Sequence, residues 1–109
     1  MKLLIIFDKE IEISPEKICV HVFHSTREIS IKSLGTCEFV EWDRNAFKTV
    51  LLRDKITESL ITKIRDFEYN YIVYDAGLDG VFTHGTILGY AVLVPNSDET
   101  FKRLRTLKF

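Results

Sequence analysis

A lysine and two histidines are spaced so that a helix would bring them together. Lys17, His21 and His24 are separated by four and three residues, which places them on one face of an α-helix. Ser14 and Pro15 form a favourable helix start, and Lys17 then occupies the third helical position. The free amides and the dipole at a helix start, together with an ammonium group, form a site for an anion. The cluster therefore predicts a binding or catalytic site, the alternative being that Lys17 extends into solvent as an ordinary surface residue.

A carboxylate followed by a glycine marks a second candidate position. Asp75, Ala76 and Gly77 come directly after a short apolar run that is typical of a buried strand. Open α/β sheets bind ligands beyond the carboxyl ends of their strands, and a glycine there lets the backbone approach a ligand closely. If the first and third strands are neighbours, Asp75 faces the helix turn that carries Lys17. We therefore predict that Lys17 and Asp75 meet across one site.

The same residues predict neither a metal nor a cofactor. His21 and His24 lack a second carboxylate or a cysteine at ligand spacing. The chain has no glycine-rich phosphate loop, no Cys-x-x-Cys and no Gly-x-Ser-x-Gly motif. Cys19 and Cys37 are too few for a disulfide framework, and we expect both to be buried as small apolar residues.

Length and charge limit the class of protein. The 109 residues fit a single domain, residues 1–109, and 15 basic against 16 acidic residues give a net charge of −1. That balance excludes a protein held on nucleic acid by bulk charge, so any phosphate contact needs a local patch. The C-terminal cations Lys102, Arg103, Arg105 and Lys108 are the best candidate for one. Without a membrane-length apolar run or a signal peptide, we expect a cytoplasmic protein with no membrane partner.

The elements that must position these residues alternate along the chain. The apolar patterns predict strands at residues 3–7, 47–52, 71–74 and 86–94, and helices at residues 15–32, 55–68 and 98–107. Residues 36–45 are expected to be an irregular surface connection anchored by Trp42. The predicted order is β-α-β-α-β-β-α, which favours a three-layer α/β/α fold with a four-stranded mixed sheet whose last two strands are antiparallel.

The chain resembles the type 2 peptidyl-tRNA hydrolases over nearly its whole length. Asp75-Ala76-Gly77-Leu78, a short loop, Gly85-Thr86, a strand and then Val94-Pro95 are similar to the C-terminal half of that family, with its Asp-Ala-Gly-x-Thr motif. The segment from Lys17 to His24 resembles the family's Gly-Lys-x-Ala-Ala-Gln-x-x-His segment, with Lys17 on the lysine and His24 on the histidine. The family usually has a second helix where residues 36–45 stand.

The resemblance implies an activity and a set of working residues. The family hydrolyses the ester that joins a peptide to the 3′ ribose of tRNA, without a metal, and tRNA or peptidyl-tRNA would be the partner. By this resemblance Lys17 would hold a phosphate or the developing oxyanion. Asp75 would orient or deprotonate the attacking water, or fix Lys17. The residues expected to contact substrate are His21, His24, Gly77, His84 and Thr86.

Several positions depart from the family pattern towards negative charge. Asp79 stands at the threonine of Asp-Ala-Gly-x-Thr, where Thr83 could substitute as a hydroxyl donor, and both are candidate catalytic residues. His21 replaces the helix glutamine, and Asp8 stands where the family has an arginine. The family's Gly-Lys-Gly-Lys entry is Ser14-Pro15-Glu16-Lys17 here, which swaps one cation for an acid. These changes favour a second interpretation, in which the fold is kept as a catalytically inactive module that binds a nucleotide or a protein. The first helix or the fourth strand could also offer an apolar face to a second copy in a homodimer.

Overall fold

Four strands form one mixed sheet in the computed structural model, which describes residues 1–75 and 85–108. The elements in those ranges are β1 (Lys2–Asp8), α1 (Pro15–Ser33), α2 (Cys37–Arg44), β2 (Thr49–Asp54), α3 (Glu58–Arg65), β3 (Asn70–Tyr74) and β4 (Ile87–Val94). The strand order is β2-β1-β4-β3; β1 is parallel to β2, and β4 is antiparallel to both β1 and β3. The predicted α/β class and the mixed four-stranded sheet are confirmed. The predicted element order is wrong, because the observed order in the described residues is β-α-α-β-α-β-β.

Each face of the sheet carries its own apolar core, because β1 is buried on both sides. Leu3, Ile5 and Phe7 pack with residues of α1 and α2 on one face. Leu4 and Ile6 pack with residues of α3 and of the C-terminal segment, residues 98–108, on the other face. Both sets are at most 4% exposed, which is why the sequence of β1 shows no polar alternation.

The start of the long helix agrees with its sequence signals. Ser14 is the N-cap, its hydroxyl accepts a hydrogen bond from the backbone N–H of Lys17, and Pro15 is the first helical residue. The helix ends before Gly35, whose φ of +85° is left-handed. Ile18, His21, Ser25, Ile29 and Ser33 form the buried side of α1. Cys19 therefore faces solvent, and Cys37 at the start of α2 is exposed as well, so the expectation of two buried cysteines is wrong.

Residues 37–44 form a helix where the sequence predicted an irregular connection. The hydroxyl of Thr36 accepts a hydrogen bond from the backbone N–H of Phe39, 3.2 Å away, and caps this helix. The anchoring role of Trp42 is confirmed, since its side chain is fully buried and its Nε1 donates to the carbonyl of Lys48 at 3.0 Å. A helix of eight residues is too short to be stable through its own propensity, so burial of the indole stabilises it.

The predicted last helix is absent from residues 98–107, which form turns and an extended end. The carboxylate of Asp98 accepts hydrogen bonds from the backbone N–H and the hydroxyl of Thr100, which fixes a turn instead of a helix cap. Farther along, the carbonyl of Arg105 accepts from the N–H of Arg53, and the N–H of Leu107 donates to the carbonyl of Leu51. These hydrogen bonds give partners to backbone groups at the otherwise unpaired edge of β2. This tertiary pairing outweighs the helix propensity of the segment.

The helix predicted at residues 55–68 is shorter in the structure. Thr57 caps α3, which begins at Glu58, and Asp54 is the last residue of β2. Among the described residues, no helix combines the length and the apolar character needed to cross a membrane.

Candidate functional site

Lys17 and Asp75 meet in an ion pair, as the sequence predicted. The Nζ of Lys17, in the first turn of α1, donates a hydrogen bond to Oδ2 of Asp75, directly after β3. The side chain of Asp75 is 5% exposed and that of Lys17 is 18% exposed. The premise that the first and third strands are neighbours is wrong, because β4 lies between them. The two residues still meet, since β1 and β3 both run antiparallel to β4 and end at the same side of the sheet.

A buried histidine adjoins the same carboxylate. His21 lies one turn after Lys17, is 6% exposed, and holds its Nε2 4.0 Å from Oδ2 of Asp75. His24, one turn farther, is exposed, and its ring lies edge-on to that of His21 with centroids 5.7 Å apart. Of the predicted helical triad, Lys17 and His21 therefore converge on Asp75, whereas His24 stands at the solvent side of His21.

The backbone around Asp75 is fixed by the start of the last strand. Its N–H donates to the carbonyl of Thr86 at 2.8 Å, and its carbonyl accepts from the N–H of Gly85 at 2.7 Å. Gly85 has a φ of +83°, a conformation that favours glycine. Thr86, a predicted substrate contact, is thus placed beside Asp75 by backbone hydrogen bonds.

An irregularity in the sheet lies just before the candidate site. Val73 pairs with Gly89 and Tyr74 pairs with Ile87, so Leu88 is an extra residue on β4. The bulge turns Leu88 into the core that faces α1, where it is fully buried. Bulges re-aim side chains near strand ends, and this one immediately precedes the Asp75 position.

The Lys17–Asp75 ion pair lies where two charged groups contribute little to folding stability. A cation in the first turn of a helix faces the positive end of the helix dipole, which is unfavourable. Removing an ammonium group and a carboxylate from water also costs energy that their attraction repays only in part. The Lys17–Asp75 pair is therefore weak as a stabilising element, and a charged pair held in such a place is typical of a functional site.

Four of the predicted site residues fall outside the described part of the chain. Gly77, Asp79, Thr83 and His84 belong to residues 76–84, so their roles stay predictions. Within residues 1–75 and 85–108, no three His, Cys, Asp or Glu side chains gather as a metal-binding group.

Two cations that the sequence analysis did not single out lie at the same end of the sheet as Asp75, but near β2. Lys9 follows β1 and Arg53 belongs to β2, and both line one depression together with Arg105 and Lys108. The sequence contained one signal for them, since each stands at the carboxyl end of a predicted strand, where open sheets bind ligands. Of the predicted C-terminal patch, Arg105 and Lys108 join this group, whereas Lys102 pairs with Glu99.

The comparisons with known proteins identify no family, so the function has to be inferred from the site. No protein-family model matches the chain. No curated protein matches it either.

Proposed function

We propose that the protein hydrolyses the ester bond of peptidyl-tRNA, or of a related aminoacyl ester, without a metal. The observation that carries this proposal is the meeting of the Lys17 ammonium group with the buried Asp75 carboxylate, beside His21. These are the positions at which the sequence resembles the working residues of type 2 peptidyl-tRNA hydrolases. The helix α2 adds support, because the family usually has a second helix there.

The chemistry needs one base and one stabiliser of negative charge. A water oxygen forms a bond to the ester carbonyl carbon, and Asp75 takes up the proton that the water loses. Lys17 stabilises the oxyanion of the tetrahedral intermediate, as a preorganised positive group does in a site of low polarity. The bond from that carbon to the ribose 3′ oxygen then breaks, and the oxygen takes the proton from Asp75. The products are a peptide acid and a tRNA with a free 3′ hydroxyl group.

A second candidate function is a binding module without catalysis. Its support is the burial of Asp75, whose side chain is 5% exposed and already neutralised by Lys17. Such a pair can serve to fix the start of α1 against the end of β3 while a nucleotide or a protein binds elsewhere on the surface. Asp79 at the position of the family's threonine is a further departure that favours this interpretation.

Release of the acyl group from an N-blocked aminoacyl-tRNA tests the first candidate. We expect the wild-type protein to be active, with Lys17→Ala lowering the rate by about 10²–10³-fold and Asp75→Asn by about 10²–10⁴-fold. Lys48→Ala and Asp43→Asn change exposed residues of the same types and are expected to retain activity. The double variant Lys17→Met/Asp75→Asn leaves no unpaired buried charge, so it is expected to fold and to be inactive.

Other results would decide against hydrolysis. Folded wild-type protein that releases no more product than buffer would exclude the enzyme. In that case the binding module predicts a nucleotide-dependent rise in Tm that grows with ligand concentration. No rise with any nucleotide would leave a protein partner as the ligand of the module.

A further inference from the structure

Four basic side chains surround one depression at the β2 side of the sheet. Lys9, Arg53, Arg105 and Lys108, with Thr106, line a space of about 550 Å³. We call these four cations the basic surface. They come from three separate parts of the chain, and the chain as a whole has a net charge of −1. The concentration of positive charge is therefore a property of the fold and not of the composition.

Backbone and side-chain contacts hold the basic surface in place. A guanidinium nitrogen of Arg53 donates to the carbonyls of Ile11 at 3.1 Å and Lys9 at 3.4 Å, which ties the loop after β1 to β2. The N–H of Arg53 donates to the carbonyl of Arg105 at 2.9 Å, which ties the C-terminal segment to the same strand. A surface fixed in this way loses less conformational freedom when it binds a ligand.

One acid lies among these cations, and its charge is already engaged. The carboxylate of Asp54 accepts hydrogen bonds from the N–H groups of Lys55 at 2.8 Å and Arg105 at 3.1 Å. The adjoining depression is lined by Asp54 and by three further basic residues, Lys55, Lys63 and Arg103. Across the two depressions, the described lining thus holds seven basic side chains and one carboxylate.

The lining indicates which anion fits. A row of cations matches a ligand with repeated phosphate charges better than a single small anion, because each neutralised phosphate releases bound counterions. No aromatic ring among the described residues lines the depression of the basic surface, whereas proteins that bind single strands stack bases on aromatic rings. A double helix presents phosphates and hides its bases, so it suits a surface of this composition.

We propose that the basic surface binds the phosphodiester backbone of a double-helical nucleic acid, without reading its sequence. The inference does not depend on the hydrolase activity, because none of its residues belongs to the Lys17–Asp75 site. The two regions are nevertheless related, since β1, β2 and β3 all end at the same side of the sheet. Three strand spacings separate β2 from β3, which is roughly 14 Å at about 4.8 Å each. One nucleic acid can therefore lie on the basic surface and reach the Asp75 position.

Fluorescence anisotropy with a labelled RNA duplex of about 16 base pairs tests the proposal. The variant Lys9→Gln/Arg105→Gln/Lys108→Gln removes three cations and keeps Arg53, whose side chain holds the loop. The control Arg27→Gln/Arg44→Gln/Lys48→Gln removes three exposed cations outside the basic surface and changes the net charge equally. Titrations between about 50 and 200 mM salt give the number of phosphates contacted.

We expect the surface variant to bind at least about tenfold more weakly, with a salt dependence less steep by about three in log–log slope. The control is expected to bind as the wild type does, which assigns the loss of binding to the basic surface and not to the net charge. A DNA duplex of the same sequence identifies the source: equal affinity indicates any double helix, and preference for RNA indicates the A-form. Either result supports the proposal if the surface variant binds the duplex more weakly than the wild type does.

Three results would overturn the proposal. One is wild-type protein that binds no duplex at low salt. Another is equal weakening by the surface variant and its control, which would show that only net charge acts. The third is binding of single-stranded RNA alone, which would require bases to be contacted.

Discussion

Ser25 shows what a single buried hydroxyl can cost. It lies on the buried side of α1, is fully buried, and its Oγ has no hydrogen-bond partner among the described residues. Ser33, on the same side of the same helix, is also fully buried, but its hydroxyl donates to the carbonyl of Ile29 at 2.7 Å. Because an unsatisfied buried polar group costs about 1–3 kcal/mol, the two serines are a matched pair for measuring that cost.

We expect Ser25→Ala to raise the free energy of unfolding by about 1 kcal/mol, and Tm by about 4–8 °C. Ser33→Ala removes a satisfied hydroxyl and is expected to leave Tm unchanged or lower. Thermal unfolding followed by circular dichroism measures both variants. Equal loss of stability in the two would mean that Ser25 has a partner outside the described residues.

Asp54 carries a pH dependence of stability. The hydrogen bond from the backbone N–H of Lys55, and then that from Arg105, hold the pKa of this carboxyl below its ordinary value of 3.8. A group whose pKa is lower in the folded state contributes stability above its unfolded pKa and loses it as the pH falls through the folded pKa. We therefore expect acid to reduce Tm below about pH 4, and Asp54→Asn to be less stable at pH 7 but less sensitive to acid.

Tm measured from pH 7 down to about pH 2.5 tests this expectation. Asp43→Asn, which changes an exposed acid of α2, is the control and should keep the wild-type acid dependence. An acid limb of the same height in Asp54→Asn as in the wild type would contradict the role of Asp54.

At the scale of elements, the close approach of β1 to β4 depends on one glycine. A Cβ at Gly89 would lie 2.1 Å from the carbonyl oxygen of Ile6 and 3.0 Å from the Cα of Phe7. We expect Gly89→Ala to lower the free energy of unfolding by about 3 kcal/mol, because rigid backbone must move to admit the methyl group. Gly35→Ala has open space and only a left-handed φ of +85°, so it should cost about 1 kcal/mol. Urea unfolding ranks the two, and equal losses would show that the strands are not held this closely.

The sequence identified strongly periodic elements and missed those that depend on distant partners. β1 and α1 could be predicted, because an unbroken apolar run and a Ser-Pro cap are local signals. The Lys17–Asp75 contact was predicted on the wrong premise that the first and third strands are neighbours. The helix α2 has only eight residues, and burial of Trp42, which fixes it, is not visible locally. Its local signal was Thr36 ahead of an acidic first turn, a capping pattern that could have indicated the helix.

The C-terminal segment misleads for a different reason. Phe101, Leu104 and Leu107 are spaced by three residues, which imitates the apolar stripe of a helix. In the structure Phe101 and Leu104 pack on the α3 side of the sheet, whereas Leu107 packs on the α1 side. An extended segment at the edge of a sheet can reach both cores, and sequence periodicity does not distinguish it from a helix.

For the molecule as a whole, β1, β2 and β3 run in the same direction, and each has an aspartate at its carboxyl end. Asp8 and Asp54 end β1 and β2, and Asp75 follows β3, all at the same side of the sheet. Asp75 is paired with Lys17, and Asp54 shares its depression with Lys55, Lys63 and Arg103. This side therefore combines a buried ion pair near β3 with the basic surface near β2, an arrangement that the net charge of −1 conceals.

The C-terminal segment supplies Arg105 and Lys108 to the basic surface and also stabilises the sheet by pairing with β2. Removal of residues 105–109 would delete both backbone hydrogen bonds to β2 and the buried side chain of Leu107. We expect the truncated protein to lose about 2.5–6 kcal/mol of unfolding free energy, since burial of a leucine contributes about 1.5–3 kcal/mol and each of the two hydrogen bonds about 0.5–1.5 kcal/mol. The uncovered edge of β2 should also promote association between copies.

Leu107→Ala separates the two effects of the truncation. It loses apolar burial, at a cost of about 2–3 kcal/mol, but keeps the backbone pairing that covers β2. Urea unfolding should therefore show destabilisation of both proteins, larger in the truncated one, whereas light scattering should show association in the truncated protein alone. Association of Leu107→Ala as well, or a truncated protein as stable as the full chain, would mean that the segment does not protect the edge of β2.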